Sequence, residues 1–262
     1  MMKTTKNNII DFYTNIYEED LRLWEWCDNR HIVEREVKIS ILNKYIKAES
    51  TLCDIWAWTW LYSLYYASKW IKVTAYDIVP KHIKIIKEKS KKLWLNIPAY
   101  ELDIENLNFE PKDKFDVVLL AWPLYHMNSI DSKEKTIQNA IKFLKKWWYL
   151  ILDWLSIANA YVNEIITVWI NNSKIDENLN NDPNNLFWYD TYESIEKLTE
   201  NKWLQLEWHH STDWITRFII EKVNSMNYNE LEKWINFIKT SCSWNDYVNM
   251  SEHCISIFKK TP

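Results

Sequence analysis

The sequence predicts an α/β fold built on a doubly wound, seven-stranded, mostly parallel sheet. From Thr51 onward, short runs of β-forming residues alternate with stretches whose apolar positions recur at helical spacing, the pattern of strands wound through crossover helices on both faces. The chain has 262 residues, 47% of them hydrophobic, enough to fill one substantial core. No linker or internal repeat divides it, so a single domain spanning 1–262 is expected.

The elements follow in order. Residues 8–20 and 33–47 carry apolar positions at helical spacing, with Ile32, Val37, Ile41, Leu42, Tyr45 and Ile46 marking one face, and predict a helical N-terminal segment. TLCDI at 51–55 reads as the first strand and 60–69 as a helix; IKVTAYD at 71–77 is the second strand, followed by a helix over 80–93. NIPAYELD and FDVVLLA supply the third and fourth strands, 131–144 a helix, and YLILDWL the fifth strand. An Asn- and Asp-rich segment at 171–185 reads as a mobile loop. A helix near 191–200, a strand near 203–209, helices across 214–241 and a last strand, CISIFKK, complete the chain. Right-handed crossovers place the ends of the first four strands along one edge, where open α/β sheets bind ligands.

Charge and composition exclude several classes. A net charge of -4 and a pI near 5.9 argue against a nucleic-acid partner, which needs a basic surface. Lys-rich stretches such as Lys87 to Lys92 are a solvated helix face. The start, MMKTTKNNIIDFYTNIYEED, lacks the apolar core of a signal peptide, and no apolar run is long enough to span a bilayer. A cytoplasmic location with no membrane partner is expected. Cys27, Cys53, Cys242 and Cys254 show no CxxC pairing and read as reduced thiols, with no metal expected.

The aromatic content is the anomaly. The chain has 18 Trp and no Gly, whereas ordinary usage near 7% predicts about 18 glycines. Trp70, Trp94 and Trp203 each follow a Lys-bearing helical segment and precede a β-like run, where a helix C-terminus calls for glycine. Trp147 and Trp148 sit at a turn into a strand. Most Trp thus stand where glycine is expected, although Trp234 in LEKWINFI lies on a helical apolar stripe. Two origins account for such a swap. One is a reassigned stop codon translated under the wrong table, which suits a chain with 28 Lys against 4 Arg; the other is deliberate replacement. The nucleotide sequence distinguishes them.

The stretch CDIWAWTWL, residues 53–61, carries the chemistry. With glycine at 56, 58 and 60 it reads CDIGAGTGL: a strand ending in an acid, three glycines on alternate positions, then a helix. Bare backbone there permits a tight turn, close approach to a ligand and helix-on-strand packing. A dinucleotide fingerprint needs its third glycine at 61, which is Leu61, so a nicotinamide oxidoreductase ranks third. The segment instead resembles motif I of the class I S-adenosylmethionine-dependent methyltransferases, E/D-x-G-x-G-x-G, matched by Asp54 with Trp56, Trp58 and Trp60 in the glycine slots.

The resemblance covers about residues 50–155. Asp77 in VTAYD, 23 residues beyond Asp54, is similar to the family's acid that binds both ribose hydroxyls, with Ile78 against adenine. Asp103 and Ile104 resemble the pair that holds the adenine amino group and packs its ring. LKKWWYLIL resembles the family's L-K-P-G-G-x-L-x-[IL], with Lys146 where proline is usual. The resemblance implies a Rossmann-like fold with an antiparallel last strand, S-adenosylmethionine as cofactor, and contacts to it from Asp54, Trp56, Ala57, Trp58 and Ala121. It also implies a helical lid at 1–48, a core at 49–210 and 251–262, and a helical insertion at 211–250. Simpler structural roles compete: Asp77 as a helix cap, Asp103 as a turn acid, Asp54 as an anchor for loop N–H groups.

On the acceptor side, WPLYH at 122–126 loosely resembles the D/N-P-P-Y motif of amino-methylating relatives but lacks its leading acid or amide and its second proline. Tyr125 and His126 are the candidate catalytic pair, since imidazole titrates near neutrality. WCDNRHIVEREV resembles a segment folded over the cofactor in small-molecule methyltransferases. Arg30 there suits the methionine carboxylate or pairs with Glu34; Tyr13 and Tyr17 close the same lid or pack. His209, His210 and His253 fall in no nucleophile or metal pattern and read as structural. The expected activity is in-line methyl transfer to a small-molecule acceptor, the alternative a non-catalytic nucleotide-binding module of the same fold. With indoles at 56 and 58 the chain is expected to bind S-adenosylmethionine poorly.

Overall fold

In the computed structural model, residues 5–15, 27–58, 60–168, 186–200 and 202–262 are described. The expected loop at 171–185, residues 16–20 of the first expected helix, and Tyr17 lie outside them. Seven strands form one sheet in the order β3-β2-β1-β4-β5-β7-β6. They are β1 (Thr51–Ile55), β2 (Lys72–Asp77), β3 (Ala99–Glu101), β4 (Phe115–Leu120), β5 (Leu144–Leu155), β6 (Leu204–Ser211) and β7 (His253–Lys260). The first five pair in parallel, and β7 runs antiparallel between β5 and β6.

Burial follows from position in the sheet. Every residue of β4, FDVVLL, is buried, as a central parallel strand covered on both faces requires. The edge strand β6 exposes alternate residues along its first half. Register aligns the strand ends that matter: Ile55 pairs with Tyr76 on one side and Leu120 on the other, and Asp77 pairs with Glu101. The loop after β1, Asp77, the loop after β3 and Ala121 therefore share one edge. The chain moves from β1 outward to β2 and β3, then returns to β4 on the other side, so a topological switch point lies between β1 and β4.

Nine α-helices are described: α1 (Thr5–Asn15), α2 (Asn29–Leu42), α3 (Leu61–Ser68), α4 (Pro80–Lys92), α5 (Ile130–Lys142), α6 (Ile157–Val168), α7 (Tyr192–Thr199), α8 (Ile220–Asn224) and α9 (Tyr228–Ser241). Their starts are chemically marked. Asp28, Ser129, Thr191 and Asn227 each accept a backbone N–H of the first turn, and Pro80 opens α4 where no N–H is needed. Helix α2 starts earlier than its apolar stripe indicates because its capping turn is polar. Helix α6 had no counterpart among the expected elements. The helices expected across 214–241 are a 3-10 turn at Thr216–Ile219 followed by α8 and α9, and α9 packs on α2.

Eight Trp residues adopt positive φ: Trp56, Trp58, Trp60, Trp70, Trp94, Trp122, Trp147 and Trp203, between 46° and 96°. Glu49 is the only other described residue that does so. At the end of α3, the Trp70 N–H bonds Ala67 O at 3.0 Å and the Ile71 N–H bonds Tyr66 O at 3.1 Å; at the end of α4, Trp94 and Leu95 repeat the pair onto Lys91 and Ser90. These are Schellman motifs with Trp at the left-handed position where glycine is usual. Trp154 differs: it lies in β5, is fully buried and donates its indole N–H to Ser256 Oγ at 2.8 Å. Trp234 sits on α9, half-buried, with its indole N–H 3.1 Å from Thr216 Oγ1.

Candidate functional site

The loop after β1 is tied to the second strand. The Trp58 N–H donates to Asp77 Oδ2 at 2.8 Å, and the Ala57 N–H to Tyr76 O at 3.0 Å. The other carboxylate oxygen of Asp77 accepts from the Val79 N–H at 2.7 Å and lies 3.1 Å from His82 Nδ1. Asp77 thus anchors both the loop and the start of α4. His82 went unnoticed in the sequence, where its only signal is its place in the first turn after Asp77.

Asp54 is fully buried and accepts from Ser63 Oγ at 2.6 Å, while its Oδ1 has no hydrogen-bond partner among the described residues. Burial pushes its pKa up to about 7, with the Ser63 bond opposing and the Asp77 charge adding to the rise. Asp103 pairs with Lys6 of α1 at 2.7 Å and with Asn106 at 3.1 Å. Burial works against its charged form, but Lys6 and Asn106 outweigh it and hold its carboxyl below the usual range. The Asn139 amide bonds Ile104 O at 2.8 Å and fixes the loop beyond β3. Ala121 is buried at the end of β4.

Two cavities flank this loop. The smaller, about 80 Å³, is lined by Trp56, Ile78, Asp103, Ile104 and His126 with Lys6 and Ile9 of α1 above. The larger, about 410 Å³, lies beyond Trp58 and Trp122 and takes in Tyr13, Arg30, Tyr125, Asp213 and His253. Indoles fill the space between. Trp56 stacks on His126 with ring centroids 5.2 Å apart; Trp58 meets Trp122 edge-on at 4.7 Å and Tyr13 at 4.9 Å. Trp122, φ 77°, is another left-handed Trp at this edge.

The structure separates the acceptor-side candidates. His126 Nδ1 lies 2.7 Å from Leu186 O and Nε2 3.0 Å from Tyr13 OH, so both ring nitrogens are engaged. Burial lowers its pKa to about 4, only partly offset by Leu186, and the ring is neutral near pH 7. Tyr125 faces the larger cavity. Arg30 lines that cavity too, its Nη2 2.9 Å from His31 Nε2 and its Nε 3.8 Å from Asp28. Glu34 turns toward Lys38, 3.1 Å away.

A buried polar cluster escaped sequence reasoning. Lys38 contacts Asp153 at 2.7 Å and sits 4.2 Å over the Trp122 ring. Burial opposes its charge, but Asp153 and Glu34 together keep its pKa raised. His253 Nδ1 lies 3.0 Å from Asp213 Oδ2, and its Nε2 3.8 Å from Glu34. Arg217 pairs with Glu252 at 3.2 Å. The other two histidines make local contacts: His209 to Ser256 and Glu196, His210 to Ser243.

Residues 60–147 match a family model described as a methyltransferase domain. None of the curated proteins matches the chain by sequence. Among solved structures, the magnesium protoporphyrin IX methyltransferase of Synechocystis PCC 6803 with bound SAH superposes with a TM-score of 0.63 at 12% identity, over 98% of this chain and 100% of that one. A SAM-dependent methyltransferase from Methanosarcina mazei gives 0.56 at 15% identity, over 84% and 97%. A cyclase also gives 0.56, at 11% identity over 87% and 80%. At such identities the likeness shows the fold.

Proposed function

We propose that this chain, whose sequence matches a methyltransferase domain and whose fold is that of the class I S-adenosylmethionine-dependent methyltransferases, is built for methyl transfer from S-adenosylmethionine to a small-molecule acceptor in the cytoplasm. One observation carries the reading: Asp77, Ile78, Asp103 and Ile104 converge on the 56–60 loop at the switch point between β1 and β4. Backbone and acids fit an adenosyl group; the indoles do not. A cavity of about 80 Å³ is far below the roughly 300 Å³ at which small-molecule sites begin, and Trp56 and Trp58 occupy the cradle that a smaller residue leaves open. When bound, the cofactor supplies an electrophilic methyl group on sulfur. Asp77 and Asp103 would hold its ribose and adenine, Arg30 its carboxylate, and α1 would cover it through Lys6 and Tyr13. In such a site the protein mainly orients reactants and excludes water, worth roughly 7–11 kcal/mol when alignment is good. Of the expected catalytic pair, Tyr125 would face the acceptor from the wall of the larger cavity, while His126, with both ring nitrogens engaged by Tyr13 and Leu186, is suited to positioning rather than to proton transfer.

The test is an activity screen of the chain carrying Trp56→Gly, Trp58→Gly, Trp60→Gly and Trp122→Gly with labelled S-adenosylmethionine against metabolite fractions. Transfer of label to a small molecule is expected. Cofactor binding with no labelled product in any fraction favours the binding module instead.

A further inference from the structure

The larger cavity has its own chemistry. Its walls include Phe12, Tyr13, Tyr125, Phe187 and Tyr189, flat apolar faces suited to a ring and independent of the two indoles on its border. Its volume of about 410 Å³ falls within the size of small-molecule sites. Three histidines lie at or beside it, and two are fully engaged: His126 as described, and His31 between Asp28 at 2.9 Å and Arg30 at 2.9 Å. The third, His253, spends Nδ1 on Asp213, and its Nε2 makes no hydrogen bond among the described residues, Glu34 being 3.8 Å away. Asp213 is itself immobilised by the Ser251 hydroxyl and by the N–H groups of Glu252 at 2.9 Å and His253 at 3.3 Å. A ring nitrogen facing a cavity while a fixed carboxylate orients the ring is the arrangement of an oriented base.

We propose that this cavity is the acceptor site, that it takes a hydroxylated aromatic small molecule, and that His253, oriented by Asp213, receives the proton of its hydroxyl. This names the acceptor class within the methyltransferase reading and rests on it. In the step, the acceptor O–H bond breaks, its electron pair stays on oxygen, and the proton binds His253 Nε2. The imidazolium is held by Asp213, and the oxyanion is the nucleophile that methyl transfer consumes. A neutral amine attacks without prior loss of a proton and needs no such base. A carboxylate acceptor is already ionised near neutral pH and needs no such base either. The groups around His253 set its charge from every side: Asp213, Glu34, Glu252 and Asp153 favour the imidazolium, Lys38 and Arg217 oppose it. Burial lowers its pKa, but Glu34 and Asp213 outweigh burial and Lys38, so the value stands above the ordinary one.

The experiment uses the full unmutated chain and 2-naphthol, a weakly acidic hydroxyarene whose ionised form absorbs to the red of the neutral one. Binding is followed by quenching of protein fluorescence and ionisation by that phenolate band, at a pH above the titration of His253 in the unliganded chain, read from its ring nitrogen resonances, and below that of the free probe. Bound probe is expected to show the band, and the nitrogen NMR resonances of the His253 ring to move to imidazolium positions. His253→Gln is expected to bind the probe with a band weaker by about tenfold, a one-unit loss of basicity, and Asp213→Asn to fall between. Lack of probe binding by the unmutated chain, an equal band in His253→Gln, or unmoved His253 resonances overturns the proposal. The resonances are read without mutation, so a variant that does not fold leaves the decision intact. Failure of the glycine variant to bind S-adenosylmethionine sinks the methyltransferase reading by a separate route.

Discussion

At the scale of the residue, backbone torsion separates two kinds of Trp. A side chain at positive φ crowds the neighbouring carbonyl, at a cost of roughly 1–2 kcal/mol for an L-residue. Trp70 and Trp94 are 93% and 94% exposed, so no burial offsets that strain. Trp70→Gly and Trp94→Gly are each expected to stabilise the chain by about 1 kcal/mol in denaturant unfolding. Trp154→Ala, in a fully buried strand position, is expected to destabilise it by about 3–5 kcal/mol. Equal effects at the two kinds of site would contradict the distinction. Asp54 supplies a second prediction at this scale. Its folded pKa of about 7 lies above its unfolded value of about 3.9. Between those values the folded state keeps a proton that the unfolded state has lost, so stability falls as pH rises through that window. The cost is complete above the folded pKa and amounts to as much as about 4 kcal/mol. Asp54→Asn is therefore expected to raise the melting midpoint above neutrality and flatten its slope below it; an unchanged slope would show that Asp54 does not titrate there.

At the scale of the element, the parts with periodic or capped sequence were legible. The alternation from β1 to β5, the acids at the ends of β1 and β2, and the helix ends at Trp70 and Trp94 could all be read because each rests on neighbours a few residues apart. Helix α6 could not: IANAYVNEIITV is apolar around most of its circumference and directly follows the apolar β5, so no change of period marks it. The contacts of α1 were beyond reach as well, because Lys6 meets Asp103 across 97 positions and Tyr13 meets His126 across 113. Those two contacts fasten α1 over the small cavity. Lys6→Ala with Tyr13→Phe is expected to raise amide exchange across α1 by about tenfold or more while leaving β1 and β4 protected. Uniform protection in the double variant would mean that packing of Ile9 alone holds the helix.

At the scale of the whole molecule, the sheet order does what no local pattern can. Glu34 on α2, Asp153 on β5, Asp213 after β6 and His253 on β7 are brought together only because β7 inserts antiparallel between β5 and β6, which is why His253 read as structural in isolation. The Lys38–Asp153 contact ties α2 to the sheet within this cluster. Asp153→Ala leaves a buried ammonium short of a partner and is expected to cost about 3–5 kcal/mol in unfolding free energy; a loss below about 1 kcal/mol would place the weight on Glu34 instead. The same sheet order puts the 56–60 loop, Asp77 and Asp103 at one switch point, and the claim that this point is an adenosyl cradle closed by indoles is tested most directly by calorimetry. S-adenosylmethionine is titrated into the chain as it stands and into the chain with Trp56, Trp58, Trp60 and Trp122 all replaced by glycine. Binding to the glycine chain, its loss on adding Asp77→Ala, and little or no binding to the parent are the predicted results; equal affinity in parent and glycine chains, or none in either, would contradict the account.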